Sequence, residues 1–254
     1  MGGAGRASPA NTATAAASPA VATLPAPLAE GAPSPLTLEE RQAQLNVAFA
    51  PWAHSLSEEE SLALLTYTGS GHERINARLR AREGLSLEAV DPWDPPSPVA
   101  REALMSTIRR LDAVISRGQV PTTLTVYRGR ERHVPLAEAQ QRIGGIARDY
   151  GFVSTSLALH VAALVAGYQK TWLAADPSTV QVRCGTLYEI TIPAGSRAAW
   201  VDIHEDRKEY ELLLPRGSRF RVTGVRQEPW AGEPPAAYTV IQMELLPPGR
   251  RRHE

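Results

Sequence analysis

The chain has 254 residues, 43% of them hydrophobic, and its 27 basic side chains balance its 27 acidic ones. That balance argues against nucleic acid as the main partner, because binding a phosphate backbone needs a basic excess. One cysteine, Cys184, excludes an internal disulfide and a Cys-pair zinc site; the six histidines show no HExxH spacing, so no metal is expected; and no apolar run approaches the roughly 20 residues that cross a bilayer.

Residues 1–36 are mostly Ala, Pro, Ser, Thr and Gly, with little to bury and repeated proline breaks. They read as a disordered Ala/Pro/Ser-rich tail. The tail lacks the apolar core of a conventional signal peptide, so a translocation signal and a plain flexible leader both stay open. From Leu36 the texture changes. Thr37 with Glu40 three residues on is a capping-box pattern, and Ser57 before an acidic first turn repeats it. "GSGHERINARLRAREG" predicts a helix with Ile75 and Leu79 on one face. The segment "DPWDPPSPV" predicts a proline-rich loop. "SPVAREALMSTIRRLDAVISRG" predicts a strong amphipathic helix ending at Gly118 as its C-cap.

After Pro121 the period changes to that of strands. "TLTVYRGR" is rich in β-branched and aromatic residues. "GFVSTSLALHVAALVAGY" predicts a short strand and then a helix that Ser156 can cap. Further strands are expected in "GTLYEITIPAG", "AAWVDI", "EYELLLP", "RFRVTGVRQE" and "YTVIQMELLPP". Helices followed by many short strands, with no βαβ repeat, predict an α+β fold with a largely antiparallel β core. The expected boundaries are a folded domain over 37–247 and a C-terminal tail over 248–254.

Three short stretches place polar residues where a strand would favour apolar ones. Arg128 stands in "VYRGR", beside Gly129, whose missing side chain permits close approach of backbone or ligand. Ser154, Thr155 and Ser156 follow Phe152. Glu209 and Glu211 flank Tyr210 at the mouth of an apolar run, and on a strand they project to one side about 7 Å apart. Singly, each has a plain structural explanation: an edge arginine, a helix cap, a solvated edge that discourages strand pairing. Together they supply a phosphate clamp, orienting hydroxyls, and carboxylates able to stabilise an oxocarbenium-like centre.

The sequence resembles the bacterial mono-ADP-ribosyltransferase toxins with an Arg, Ser-Thr-Ser, Glu-x-Glu signature, such as the enzymatic components of binary toxins and related exoenzymes. The resemblance is carried by "TYTGSGHERINARLR", "IRRLDAVISRG…LTVYRGR", "GFVSTS" and "EYELLLPRGSRFRV", in that order. It implies a two-sheet β core behind N-terminal helices. It implies NAD as substrate, with no metal and no Rossmann unit. Arg128 matches the arginine that grips the dinucleotide phosphates, and Ser154 the serine that positions the catalytic glutamate. Thr155 and Ser156 match pocket-shaping positions, and Phe152 an aromatic position before them. Asn76 and Arg80 match helix residues that reach the NAD phosphates and ribose. Glu211 matches the glutamate that holds the nicotinamide ribose. Glu209 matches the one that engages the acceptor, and a Glu there goes with an arginine acceptor. The implied activity is transfer of ADP-ribose from NAD to a target protein's arginine, by a toxin or effector that is secreted or delivered into a target cell, with a delivery or secretion partner open. An NAD glycohydrolase and an inactive binding module of the same fold are the rivals.

Overall fold

The computed structural model describes residues 36–82, 97–173, 176–203, 209–230 and 236–248. Most of the N-terminal tail, the proline-rich loop before Ser97 and most of the C-terminal tail lie outside them. Four helices come first: α1 (Leu38–His54), α2 (Glu58–Thr66), α3 (His72–Arg82) and α4 (Pro98–Arg117). Thr37 and Ser57 both close full capping boxes, with Glu40 and Glu60 bonding back to the cap. Between α2 and α3 the chain makes a π-helical turn, Tyr67–Gly71, broken at Gly69. Leu104, Ile108, Leu111 and Ile115 form the buried stripe of α4. Gly118 does cap that helix, but with φ −76° and not in the left-handed form. A glycine is needed there for space, because a Cβ would stand 1.9 Å from the Ala198 carbonyl oxygen.

The strands are β1 (Leu124–Arg130), β2 (Ile146–Arg148), β3 (Val153–Ser156), β4 (Tyr168–Leu173), β5 (Asp176–Cys184), β6 (Thr186–Ile192), β7 (Ala199–Trp200), β8 (Glu211–Leu214), β9 (Arg219–Trp230) and β10 (Ala236–Leu245). Two short helices, α5 (Leu136–Gln140) and α6 (Leu159–Ala166), interrupt them. Eight strands form one sheet in the order β2-β9-β10-β6-β1-β3-β8-β7, and β4 pairs with β5 as a separate hairpin. All neighbours are antiparallel except β6 and β10. The fold is therefore α+β with a largely antiparallel sheet. In place of two separate β sheets there is one continuous eight-stranded sheet, and the join is narrow. β1 meets β3 at a single residue pair, Tyr127 with Ser156, whereas β1 meets β6 over seven.

Alternation along the strands divides the sheet into two apolar faces. Val126, Ile190, Ile241 and Met243 join the large core that includes α1 to α4. Leu187, Tyr238 and Val240 face the other way and pack with Ala162 and Ala166 of α6. Gly129 belongs to this second face. A Cβ there would lie 2.0 Å from the Ala162 carbonyl oxygen, so the glycine lets α6 rest directly on β1. Close approach was expected at Gly129, and the approaching group is helix backbone.

Candidate functional site

The narrow join between β1 and β3 opens a cleft. Arg128, next to the single pairing residue of β1, reaches across it and donates from Nη1 to the Ser154 carbonyl oxygen at 2.7 Å. Glu211, the first residue of β8, stands opposite Ser156 in the β3–β8 ladder. Three adjacent strands thus deliver an arginine, a serine strand and a glutamate to the narrow join of the sheet. The cavity there has a volume of about 720 Å³, and Tyr67, Arg128, Ser154, Thr155, Ser156, Glu209 and Glu211 all line it.

Burial makes this site electrostatically demanding. The Arg128 guanidinium is pushed down to about 10, first by burial and then by neighbouring Arg130, with Asp149 opposing. It remains a cation at neutral pH. Its Nε is buried without a hydrogen-bond partner among the described residues. A buried donor left open on a cation is a receptor for an anion. A second cavity shares Arg128 and Arg130 with the first and adds Arg80, Arg148, Asp149 and Tyr150. Asp149 organises that face. Arg80 donates to it from both Nε and Nη2 at 3.0 Å, Arg130 donates at 3.3 Å, and the Gly151 amide donates at 2.9 Å. Arg148 lies 4.5 Å over the Tyr150 ring. The whole surface suits a diphosphate beside a sugar whose developing positive charge Glu211 can face.

The two glutamates are not on one strand face. β8 begins only at Glu211, and Tyr210 adopts φ 51°, the left-handed region. The turn is held from several sides. Ser156 Oγ donates to the Glu209 carbonyl oxygen at 2.7 Å, and the Leu157 amide donates to that of Tyr210 at 3.0 Å. Hydrogen bonds to the turn outweigh strand alternation. Glu211 is buried and Glu209 exposed, yet both border the same cavity. Ser156 was expected to cap the following helix, and it does not. Its Oγ accepts from the Ala158 amide, while α6 starts one residue later with Ala158 as its N-cap.

The family model of the ADP-ribosyltransferase exoenzyme matches residues 46–243. The chain belongs to the ADP-ribosyltransferase exoenzyme family. It is accordingly an enzyme of ADP-ribose transfer that uses NAD. No curated protein sequence matches it. Among solved structures it is similar to Plx2a, an ADP-ribosyltransferase toxin from Paenibacillus larvae, with a TM-score of 0.60 at 20% identity, covering 82% of this chain and 96% of that one. The Clostridium limosum C3 exoenzyme gives 0.60 at 20% identity over 83% of this chain and 95% of that one. BECa, the ADP-ribosylating toxin of a C. perfringens binary enterotoxin, was solved with NADH; it gives 0.61 at 16% identity over 81% of this chain and 48% of that one. At such identities the likeness is one of fold.

Within this ADP-ribosyltransferase, every residue singled out from sequence lines one or other of the two cavities except Asn76 and Phe152. Both are buried, and neither lines a described cavity. Asn76 Oδ1 accepts from the Phe152 amide at 2.8 Å, its Nδ2 donates to the Tyr67 hydroxyl at 3.0 Å, and that hydroxyl donates to the Phe152 carbonyl at 3.2 Å. This closed triangle ties α3 and the π-helical turn to the entry of β3. Burial raises Tyr67 to about 12, so its hydroxyl stays protonated and can donate. Sequence reasoning missed Tyr67 and Asp149. Asp149 could have been noticed as an acidic residue between Arg148 and the Gly151-Phe152 strand entry, but nothing local reveals its arginine partners. Among the described residues no cluster of His, Cys, Asp or Glu suits a metal ion, and no helix is long and apolar enough to cross a membrane.

Proposed function

We propose that this enzyme transfers ADP-ribose from NAD to an arginine side chain of a target protein, as a toxin or effector delivered to a target cell. The observation that carries the reading is the convergence of Arg128, Ser154 and Glu211 from adjacent strands on one cleft. Arg128 binds the diphosphate through its open Nε, and Arg80, Arg130 and Arg148 extend this cationic seat. Ser154, Thr155 and Ser156 shape the wall beside the nicotinamide ribose. Asn76 and Phe152 act from behind, by fixing the β3 entry.

The reaction follows from the charges. The bond between ribose C1′ and the nicotinamide nitrogen breaks, and nicotinamide leaves with the electron pair. Glu211 stabilises the positive charge left on the sugar. Glu209, exposed at the cleft rim, holds the incoming guanidinium by a charge-assisted hydrogen bond. A guanidinium nitrogen attacks C1′ and gives up one proton to Glu209 or solvent. The carboxylate at 209 is what favours arginine over a neutral acceptor.

Labelled NAD and agmatine, a free guanidinium compound, test the acceptor. Wild-type protein should label agmatine, and Glu209→Gln should lose that label while retaining much of its NAD cleavage. Nicotinamide release without labelled agmatine would mark an NAD glycohydrolase. NAD left intact would mark an inactive binding module. Equal loss of both activities in Glu209→Gln would contradict the division of roles.

A further inference from the structure

Helix α6 reads LHVAALVA, and its one polar side chain is His160. Helical spacing sorts the helix into ridges of residues four apart. Ala162 and Ala166 are buried against the sheet, where Gly129 lets the helix rest on β1. Val161 and Val165 line the cavity that Glu209 and Glu211 also line. His160 and Leu164 form the ridge opposite the two alanines. The His160 ring stands edge-on to that of Tyr210, the residue between the two glutamates, with centroids 6.4 Å apart. Leu164 is 75% exposed and Val165 56%. A surface helix ordinarily turns polar residues outward. This one turns leucine and valine outward, beside the mouth of the cleft.

We propose that the outer face of α6 docks the target protein, with Leu164 and Val165 covering an apolar patch next to the acceptor arginine. The proposal rests on the arginine-transfer reading above. An acceptor side chain reaches the buried Glu211 only past the rim where Glu209 is exposed, so the polypeptide that bears it lies on that rim. α6 is one wall of the rim through Val161 and Val165, and His160 joins it to the glutamate turn. The wall carries no carboxylate, ammonium or guanidinium. A charged partner surface would lose water there without gaining a partner, whereas an apolar one is matched. The inner face of the helix is already packed on β1, so docking needs little ordering of the platform. A free guanidinium compound needs none of this wall. Agmatine therefore reports the chemistry alone, and a larger acceptor reports chemistry and docking together.

Agmatine and two arginine peptides, one flanked by leucine and phenylalanine and the other by serine and glycine, should be compared as acceptors with labelled NAD. For the wild type, kcat/KM for the apolar-flanked peptide should exceed that for the polar-flanked one about tenfold or more, the scale of burying one leucine side chain. Leu164→Ser should abolish that preference and leave agmatine labelling and the KM for NAD unchanged. Leu164→Met, which keeps an apolar contact, should retain the preference. Equal use of the two peptides by the wild type would overturn the proposal. So would a parallel loss of agmatine labelling in Leu164→Ser, which would put the effect of the residue in the site or the fold. Wild-type dimers that Leu164→Ser dissolves would assign the face to a second copy, and retention on phosphatidylcholine vesicles that Leu164→Ser abolishes would assign it to a membrane; either result would overturn docking of a target. If the wild type labels neither agmatine nor peptide, the arginine reading fails and the docking proposal falls with it. Agmatine labelled without a peptide preference refutes the docking proposal alone.

Discussion

Arg128 holds its charge where burial opposes it and where its Nε meets no partner among the described residues. Such a group contributes little to folding and much to binding an anion. Arg128→Met removes the buried charge at similar length, so its thermal midpoint should equal or exceed that of the wild type. The same variant should lose the stabilisation that NAD gives the wild type. A variant that kept a full NAD-dependent shift in melting would show that the diphosphate sits elsewhere. Asn76 is the opposite case. Asn76→Ala strips partners from the buried Phe152 amide and the Tyr67 hydroxyl, and should lower stability by about 2–3 kcal/mol in urea denaturation. Arg128 and the hydroxyl triplet were legible in sequence because they are polar residues inside strand patterns. The inward role of Asn76 was not, since Phe152 is 76 residues away in the chain.

At the scale of elements, the site depends on how α6 and the edges of the sheet are seated. Gly129→Ala would drive a Cβ into backbone atoms of Ala162 and Ala166. It should cost about 1–3 kcal/mol by overpacking and reduce NAD turnover, because Arg128 is the adjacent residue. Urea midpoints and initial rates on one preparation check both. Across the other half of the sheet, Glu189 of β6 accepts from Arg226 of β9 at 2.8 Å and from Gln242 of β10 at 2.9 Å. Burial pushes the Glu189 carboxyl up, but these bonds outweigh it and hold it below the ordinary value. A carboxyl lowered in the folded state stabilises at pH values above its unfolded value, and that contribution disappears as pH falls through the folded one. Glu189→Gln should therefore be less stable than wild type at neutral pH, on the order of 1 kcal/mol given its partial exposure. The difference should close in acid. A gap that widened in acid would reverse the assignment. Helix caps and strand runs were legible from sequence because both are local. The turn at Tyr210 was not, because its grips come from Ser156 and Leu157, more than 50 residues away in the chain.

For the whole molecule, the decisive feature is a sheet that nearly divides in two. The halves share the single Tyr127–Ser156 pair, and Arg128 and Glu211 both line the cavity beside it. The sequence pattern named the α+β class and most strands, but strand order depends on long-range pairing that periodicity does not record. The short β2 and the β4–β5 hairpin went unread for the same reason. Residues Leu36–Glu254 form one compact unit that contains every residue of the site. A chain beginning at Leu36 should therefore retain the NAD turnover of the full-length protein, compared by rates at equal concentration. The most direct measurement is nicotinamide release from NAD by the purified protein and by its Glu211→Gln variant, both shown to be folded. The wild type should release nicotinamide, and the variant should do so about 10²–10³-fold more slowly, as for removal of one charge-stabilising group. Equal rates in the two proteins would contradict the placement of the reaction in this cleft.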